Sequence, residues 1–374
     1  ETGIKQTLRV GDTIARLGGD EFVFLLLNLE IFEECEIIIH RLLEVISAPV
    51  LIKNQAVTVS ASIGISIFPD DNTVPDTLLR HADQAMYQAK QDGKNCYRIY
   101  NHTLDYKHHL RRTAINRIEQ ALHSHEFQLF FQPKVDMRNG LVFGAEALIR
   151  WQHPERNLVL PGEFMPALEN HEFATKLDKW VIDQALQQME AWYQQGLELQ
   201  ISVNISAKSL QADNFVQQLR NALEQHPLVK PCHFELEILE TEALNDMALT
   251  IQIIEDCQKL GVQFALDDFG TGYSSLSYLK HLPAQTLKID RSFVHDMLED
   301  EEDLAIVKGV IGLADSFKRK VIAEGVESIE HGQALLRMGC YYAQGYGIAK
   351  PMSAENLRSW LREWQAPKAW NNQQ

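Results

Sequence analysis

Apolar and polar positions follow two different rhythms along this chain, and the rhythm changes near residue 127. Before it, residues 13–26 carry two apolar runs around Gly18-Gly19-Asp20-Glu21, which reads as a β-hairpin. Apolar residues at helical spacing predict a helix over 31–46. Residues 57–67 alternate and are β-rich, which predicts a strand, and Pro69-Asp70-Asp71-Asn72 reads as a turn. A helix over 77–91, ended at Gly93, precedes a last strand at 96–100. Residues 1–8 read as the end of a helix with no cap before it, so the chain is expected to begin inside a domain. These elements make residues 1–100 a small α+β domain. Residues 101–125 are polar, rich in Arg and His, and carry Leu110, Ile115, Ile118 and Leu122, which reads as a linker helix.

From residue 126 short strand-like apolar runs alternate with amphipathic helical stretches, about eight times through Pro351. Such alternation over about 230 residues predicts an α/β fold, a (β/α)8 barrel, here over 126–366 with a tail at 367–374. Neither low-complexity segments nor short-period repeats interrupt it.

Composition and charge narrow the partners. The 374 residues fit two or three domains at about 150 residues each, or one barrel with an appendage. With 45% apolar and 23% charged residues the chain can fill cores of that size. Lys+Arg number 35 against 51 Asp+Glu, a net −16 with His neutral. That excludes a nucleic-acid polymer as a generic partner, because nonspecific binding needs clustered cations to neutralise phosphates. A small anionic ligand held by a few local cations or metal ions remains compatible. Cys35, Cys96, Cys232, Cys257 and Cys340 are scattered, odd in number and without a CxxC pair, which predicts reduced thiols in a cytoplasmic protein. The longest apolar runs, such as residues 22–27, fall far short of the eighteen or so that span a bilayer, and no basic-then-apolar leader is present. No membrane contact is expected within the chain, which leaves room for a membrane-anchored sensor upstream.

Nearly every strand-like run of the second region ends in an acid, amide or lysine just before a turn. One ends at Glu146, the next at Asn204, then Glu237, then Asp267 and Asp268. Another leads into Lys288 and Asp290, another to Glu324 and Glu327, and the last contains Gln344. In a barrel the C-terminal strand ends converge on one mouth, where active sites are built. Carboxylates distant in sequence therefore meet in space, and they repel one another unless cations neutralise them. Oxygen ligands from Asp, Glu and Asn suit hard ions such as Mg2+ or Mn2+. Adjacent Asp267 and Asp268 can place one carboxylate between two ions and the other on one of them. Ions about 3.5–4 Å apart cleave phosphodiesters by in-line attack of an activated water. Lys288 would orient that water or stabilise the developing phosphorane, and Glu324 is placed as general base or second-ion ligand.

Any one of these acids is unremarkable as a solvated loop residue; seven consecutive strand ends are not. Rival chemistries fail on spacing. His125-Glu126 and His171-Glu172 lack the second His of HExxH, since Leu129 and Thr175 stand there. Residues 272–276 are not GxSxG, Gly93-Lys94 has no P-loop glycine upstream, and His108-His109 read as surface residues.

The motifs Glu146-Ala147-Leu148 with Arg150, Val203-Asn204-Ile205-Ser206, Glu237 with Glu240, Asp267-Asp268-Phe269-Gly270-Thr271-Gly272, Leu287-Lys288-Ile289-Asp290 and Glu324-Gly325-Val326-Glu327 resemble those of the EAL-domain phosphodiesterases. The resemblance runs from about residue 127 to 364 with the motifs in order. It implies hydrolysis of one phosphodiester of cyclic di-GMP to linear pGpG, with two Mg2+ or Mn2+ ions. It implies Glu146, Asn204, Glu237 and Asp267 as metal ligands, Asp267 bridging and Asp268 on the second ion, with Lys288 and Glu324 around the attacking water. Gln132, Arg150 and Pro351 fall in substrate-contact segments, where an Arg suits a phosphate oxygen. Asp290 and Gln344 fall at mouth positions counted with them, and Glu240 behind the ligands. The loop 268–276 and Glu327 are implied to couple the site to a homodimer interface. The first strand, 127–135, is implied to run antiparallel to the others. Three departures stand out: Glu172 where Gly is common, Lys350 where Arg is common, and Glu242 as an extra acid.

The first region resembles the GGDEF domain, which when intact makes cyclic di-GMP from GTP. Gly18, Gly19, Asp20, Glu21 and Phe22 spell its hairpin motif, and residues 82–90 with Gly93-Lys94-Asn95 fit its later helix. Two glycines allow close approach of a guanine base, and Asp20 could hold a metal. Arg9 and Asp12 match the product-binding inhibitory RxxD motif; a turn salt pair is the plainer reading of those two residues. The family's first strand and helix, with a metal-binding Asp and the phosphate loop, are missing, so this chain is expected not to condense GTP. GTP stays a ligand candidate for this part in a longer parent. Beside the hydrolase stand a metal-free cyclic di-GMP receptor, an EAL part that regulates a diguanylate cyclase, and a structural scaffold.

Overall fold

A computed structural model describes residues 9, 11–29, 32–52, 55–69, 71, 74–100, 102–169, 171–243, 246–272 and 276–371. The chain divides into two compact units, Glu1–Arg112 and Thr113–Gln374. The helix end expected at 1–8, parts of the turn at 69–72, and Tyr273, Ser274 and Ser275 of the loop 268–276 lie outside the described residues, as do the side chains of His108 and His109.

In the first unit the motif hairpin forms as predicted. Strands β1 (Thr13–Gly18) and β2 (Glu21–Leu25) pair antiparallel, with a register shift beside the turn. The helix Phe32–Ser47 turns Cys35, Ile38, Ile39 and Leu42 inward, the spacing that predicted it. A short hairpin of β3 (Val50–Ile52) and β4 (Gln55–Val57) follows. Of the strand expected over 57–67 the structure has Val57 at the end of β4 and β5 (Ile63–Ile65), the latter parallel to β6 (Tyr97–Ile99). Alternation marks residues able to join a sheet, but a ladder extends only as far as a partner completes its hydrogen bonds, and β6 is equally short. The helix Pro75–Gln91 begins earlier than predicted because Pro75 brings the fixed φ of a first helical turn.

The helix His102–His123 crosses the boundary between the units in sequence. Its Ile115, Ile118 and Ala121 are buried in the hydrophobic core of the second unit.

The second unit is the barrel. Strands β7 (Phe127–Asp136) and β8 (Leu141–His153) form a long antiparallel hairpin, extended by β9 (Asn157–Val159). Then come β10 (Gln200–Asn204), β11 (Phe234–Leu239), β12 (Gln263–Phe269), β13 (Thr286–Ile289), β14 (Lys320–Ala323) and β15 (Tyr342–Ala343). Each of β10 to β15 runs parallel to its neighbour, and β8 pairs parallel with β10. β7 is antiparallel to both β8 and β15, so the first strand is reversed as implied, and the pairing of β8 with β10 closes the cylinder. Helices between the strands cover the outside. Phe131, for instance, meets Trp192 of the helix Phe173–Gln194 with ring centroids 4.8 Å apart.

Two expectations about strand ends need correction. β8 does not stop at Glu146 but continues to His153, paired with β7 as far as Trp151 and with β9 beyond, and Glu146 reaches the mouth because the pairing with β10 ends at Ala147. Glu237 and Lys288 likewise lie inside β11 and β13, not beyond them. The segment read as a tail carries a buried Trp370, whose indole N–H donates to the Ile329 carbonyl at 3.2 Å. Among the described residues no helix is long and apolar enough to cross a membrane.

Candidate active site

Four of the acids predicted at strand ends, Glu146, Glu237, Asp267 and Glu324, meet around one ammonium group. Lys288, fully buried, places Nζ 2.6 Å from Glu237 Oε2 and 2.6 Å from Glu324 Oε1. The same nitrogen is 3.0 Å from Asp267 Oδ1 and 3.5 Å from Glu146 Oε2. These side chains come from β8, β11, β12, β13 and the turn after β14, so the barrel's closure is what assembles them.

Burial penalises every charge in this cluster, and the outcome differs by neighbour. Burial pushes the Glu146 and Asp267 carboxyls up, with nearby acids adding to the push and Lys288 opposing it. Glu324 is raised well above the ordinary range for the same reasons. Glu237 behaves oppositely: burial would raise it, but Lys288 and Lys134 outweigh that and hold it down at about 2. Asp268 is pushed up to about 7 by burial, then by the charges of Asp267 and Asp290.

The donor set fits hard cations. Ligand atoms of Glu146, Glu237 and Asp267 lie within 4.8 Å of one another, as do those of Asp267, Asp268 and Glu324. Asp267 belongs to both groups, the arrangement expected of a bridging carboxylate. One oxygen of Glu237, Oε1, is buried without a hydrogen-bond partner, a cost that a cation would relieve.

Amides hold Glu146 in place. Its Oε1 accepts from Asn204 Nδ2 at 2.7 Å and its Oε2 from Gln344 Nε2 at 2.7 Å. Gln344 Nε2 also donates to Gln132 Oε1 at 2.9 Å, and Gln132 Nε2 to the Ala349 carbonyl at 3.0 Å. Gln344 is fixed through its backbone, since Val326 N–H donates to its carbonyl at 3.1 Å. This approach needs Gly345, where a Cβ would lie 2.2 Å from Val326 N.

A model of the "EAL domain" matches residues 115–351. The chain belongs to the EAL-domain family. Residues 2–96 match the model "Diguanylate cyclase, GGDEF domain", so the chain is a GGDEF–EAL tandem. Over 355 residues it is 40% identical to the bifunctional diguanylate cyclase/cyclic di-GMP phosphodiesterase MucR of Pseudomonas aeruginosa, covering 95% of this chain and 52% of MucR. The cyclic di-GMP phosphodiesterase NbdA of the same organism is 34% identical over 360 residues, covering 96% of this chain and 46% of NbdA. The chain thus spans about half the length of these curated relatives. A solved structure described as "PaMucR Phosphodiesterase, c-di-GMP complex" superposes with TM-score 0.63 at 40% identity, covering 66% of this chain and 99% of that one.

The other residues singled out from the sequence lie at the rim of the EAL cluster or away from it, Asp268 alone among them offering a ligand atom to it. Asp268 has φ +53°, and its carboxyl shares a hydrogen bond with Asp290, which also caps the helix Arg291–Asp296 by accepting from Ser292 N–H at 2.9 Å. Glu240 is buried and accepts from Gly270 N–H at 2.8 Å. Arg150 is buried with its guanidinium donating to the Ile149 carbonyl at 2.8 Å, and Pro351 is half-buried. Glu327 is exposed, 3.5 Å from His295 Nδ1. In the GGDEF unit, Gly18 ends β1, Gly19 and Asp20 form the hairpin turn, and Arg16 donates to the Gly19 carbonyl. Glu21 and Phe22 open β2. Arg9 pairs with Glu34 at 3.1 Å, while Asp12 accepts from the backbone N–H of Arg9 and of Leu27. The plain salt pair between Arg9 and Asp12 is therefore replaced by a backbone cap.

Sequence reasoning missed the layer beneath the acids, Lys134, Ser202, Glu235 and Thr286. A signal for it existed: each stands two residues before a site residue or after Gln132, on the same face of its strand. It also missed Asp178, whose Oδ2 accepts from Ser206 N–H at 3.1 Å and from the Ser206 and Ser209 hydroxyls at 2.5 Å each.

Proposed function

We propose that the barrel unit hydrolyses one phosphodiester of cyclic di-GMP to linear pGpG, using two divalent cations, Mg2+ or Mn2+. What carries the reading is the pair of overlapping carboxylate groups that share Asp267 around the buried Lys288. Relatives named as cyclic di-GMP phosphodiesterases, and a MucR phosphodiesterase solved with cyclic di-GMP, support the substrate. Glu146, Asn204, Glu237 and Asp267 would hold the cations, with Asp268 on the second. Bound there, such cations lower the pKa of a water and neutralise the scissile phosphate. Lys288 supplies a fixed positive charge beside the attacking position, and Glu324, in contact with it, is the acceptor for the water's proton. Gln132 and Gln344 keep Glu146 aimed inward. Arg150, Asp290 and Pro351 contribute substrate contacts, the first through a guanidinium suited to phosphate. We assign residues 1–100 to a regulatory GGDEF domain, 101–125 to a linker helix, 126–366 to the barrel and 367–374 to a tail. In the GGDEF domain Arg9 and Asp12 are the product-sensing pair. The working state is a cytoplasmic homodimer in which the loop 268–276 and Glu327 couple the interface to the site. The Gly18–Phe22 motif hairpin and the bifunctional relative favour a second reading, a longer parent that also condenses GTP.

The test mixes the protein with cyclic di-GMP and Mg2+ and follows pGpG by chromatography, with EDTA as control. Turnover is expected, abolished by chelation and lowered at least about a hundredfold by Glu146→Ala or Asp267→Ala, on the scale of losing a group that stabilises the transition state. Binding without turnover in the presence of Mg2+ would instead identify a receptor.

A further inference from the structure

Lys134 is a fully buried lysine to which the proposed reaction gives no part. It stands on β7 two residues beyond Gln132, at the level of Gly144 on β8, one layer below Glu146. Its Nζ donates to Ser202 Oγ at 2.8 Å and to Glu235 Oε1 at 3.1 Å. Glu235 Oε2 in turn accepts from Thr286 Oγ1 at 2.9 Å. The same ammonium lies 3.5 Å from Glu237 Oε1, the buried oxygen that has no hydrogen-bond partner. The other oxygen of Glu237 is bound by Lys288 at 2.6 Å.

A buried ion costs several kcal/mol unless it is paired, and Glu235 alone would neutralise Lys134. The second approach, to Glu237, therefore has a different consequence. One carboxylate oxygen is tied to Lys288 and the other is drawn toward a fixed charge from below, so rotation of the group is restricted. We propose that Lys134 is a positioning residue that holds Glu237 in the orientation in which it ligates a cation. The proposal rests on the metal-dependent reading above. Groups behind a metal ligand commonly set its affinity, with losses of about 10–100-fold when they are removed.

Lys134→Met alone strands Glu235, so the informative protein is the charge-balanced double variant Lys134→Met/Glu235→Gln. Its melting temperature is expected to return toward that of the wild type. Its half-saturating Mn2+, read by electron paramagnetic resonance of free Mn2+, is expected to stay about tenfold or more above wild type. In turnover assays kcat should fall at saturating cyclic di-GMP with KM unchanged, since Lys134 reaches no substrate. Recovery of Mn2+ binding together with stability would overturn the proposal and leave Lys134 a mere charge balance. If the double variant does not melt cooperatively, Thr286→Val removes the bond that fixes Glu235 against Lys134 without stranding a charge. A raised Mn2+ half-saturation there supports the proposal, and an unchanged one defeats it. A wild type that binds Mn2+ but leaves cyclic di-GMP intact would sink the substrate assignment, while the Mn2+ measurement would still decide on Lys134.

Discussion

Two lysines in one barrel show how far surroundings, not residue type, set charge. Lys288 and Lys320 both lose hydration on folding, which disfavours the ammonium. Around Lys288, Asp267, Glu146, Glu237 and Glu324 more than compensate, and its pKa rises well above the ordinary value. Lys320 has burial and then Lys134 against it, with Glu235 and Asp136 too weak to offset them, and falls to about 8. Its ammonium rests 3.5 Å from the centre of the Phe143 ring and 4.4 Å from that of Tyr342. An unfolded lysine titrates near its ordinary value of 10.5, so between pH 8 and 10.5 the unfolded chain binds the extra proton. Stability due to this residue should therefore rise with pH in that window and fall away as pH drops through 8. The melting temperature of the wild type minus that of Lys320→Met is expected to grow from pH 8 to pH 10. A flat difference would mean that the two rings keep the ammonium charged in the fold.

At the scale of elements, period two along the strands placed most of the site. Gln132 and Lys134, Ser202 and Asn204, Glu235 and Glu237, and Thr286 and Lys288 are alternate residues on inward faces, so reading one member of each pair points to the other. Glu146 is the exception. Its strand runs on for seven more residues, five against β7 and the last two against β9, and no local pattern marks the point where β10 leaves it. Support from helices was equally invisible. Asp178 sits on the inner side of the helix Phe173–Gln194, and through Ser206 and Ser209 it clamps the turn that follows Asn204. Nothing in residues 173–194 announces that partner, because it lies beyond a whole strand. Asp178→Asn turns an amide toward these donors and should cost about 1–3 kcal/mol in urea denaturation. Ser209→Ala, which removes one donor and keeps the other two, should cost less. Equal costs would show that the clamp is not shared as described.

For the whole molecule, everything depends on one seam. β8 and β10 close the barrel through four register pairs, Gln200↔Gly144 to Val203↔Ala147. A Cβ at position 144 would lie 2.5 Å from the Gln200 carbonyl oxygen, so the two backbones approach as closely as they do because Gly144 has no side chain. Gly144→Ala is expected to destabilise the barrel by about 1–3 kcal/mol, measured by thermal unfolding. It should also weaken divalent-cation binding, because Glu146 stands two residues along on the same strand. A variant as stable as the wild type would mean that the seam tolerates widening.

Alternation, helical spacing and ordered motifs are properties of neighbouring residues, and they sufficed for the (β/α)8 plan, the motif hairpin and the membership of the acid cluster. The reversed first strand came from resemblance to a family and was then seen in the pairing of β7 with β8 and β15. What folding alone decided is depth, register and partnership. Glu237 is held low between two lysines while burial and the neighbouring acids push Glu324 up against the opposing charge of Lys288, and Lys134 becomes the floor of the site. Those outcomes follow from desolvation and from charges that arrive from distant parts of the chain, and a Coulombic field depends on distances in space that are set only when the cylinder closes.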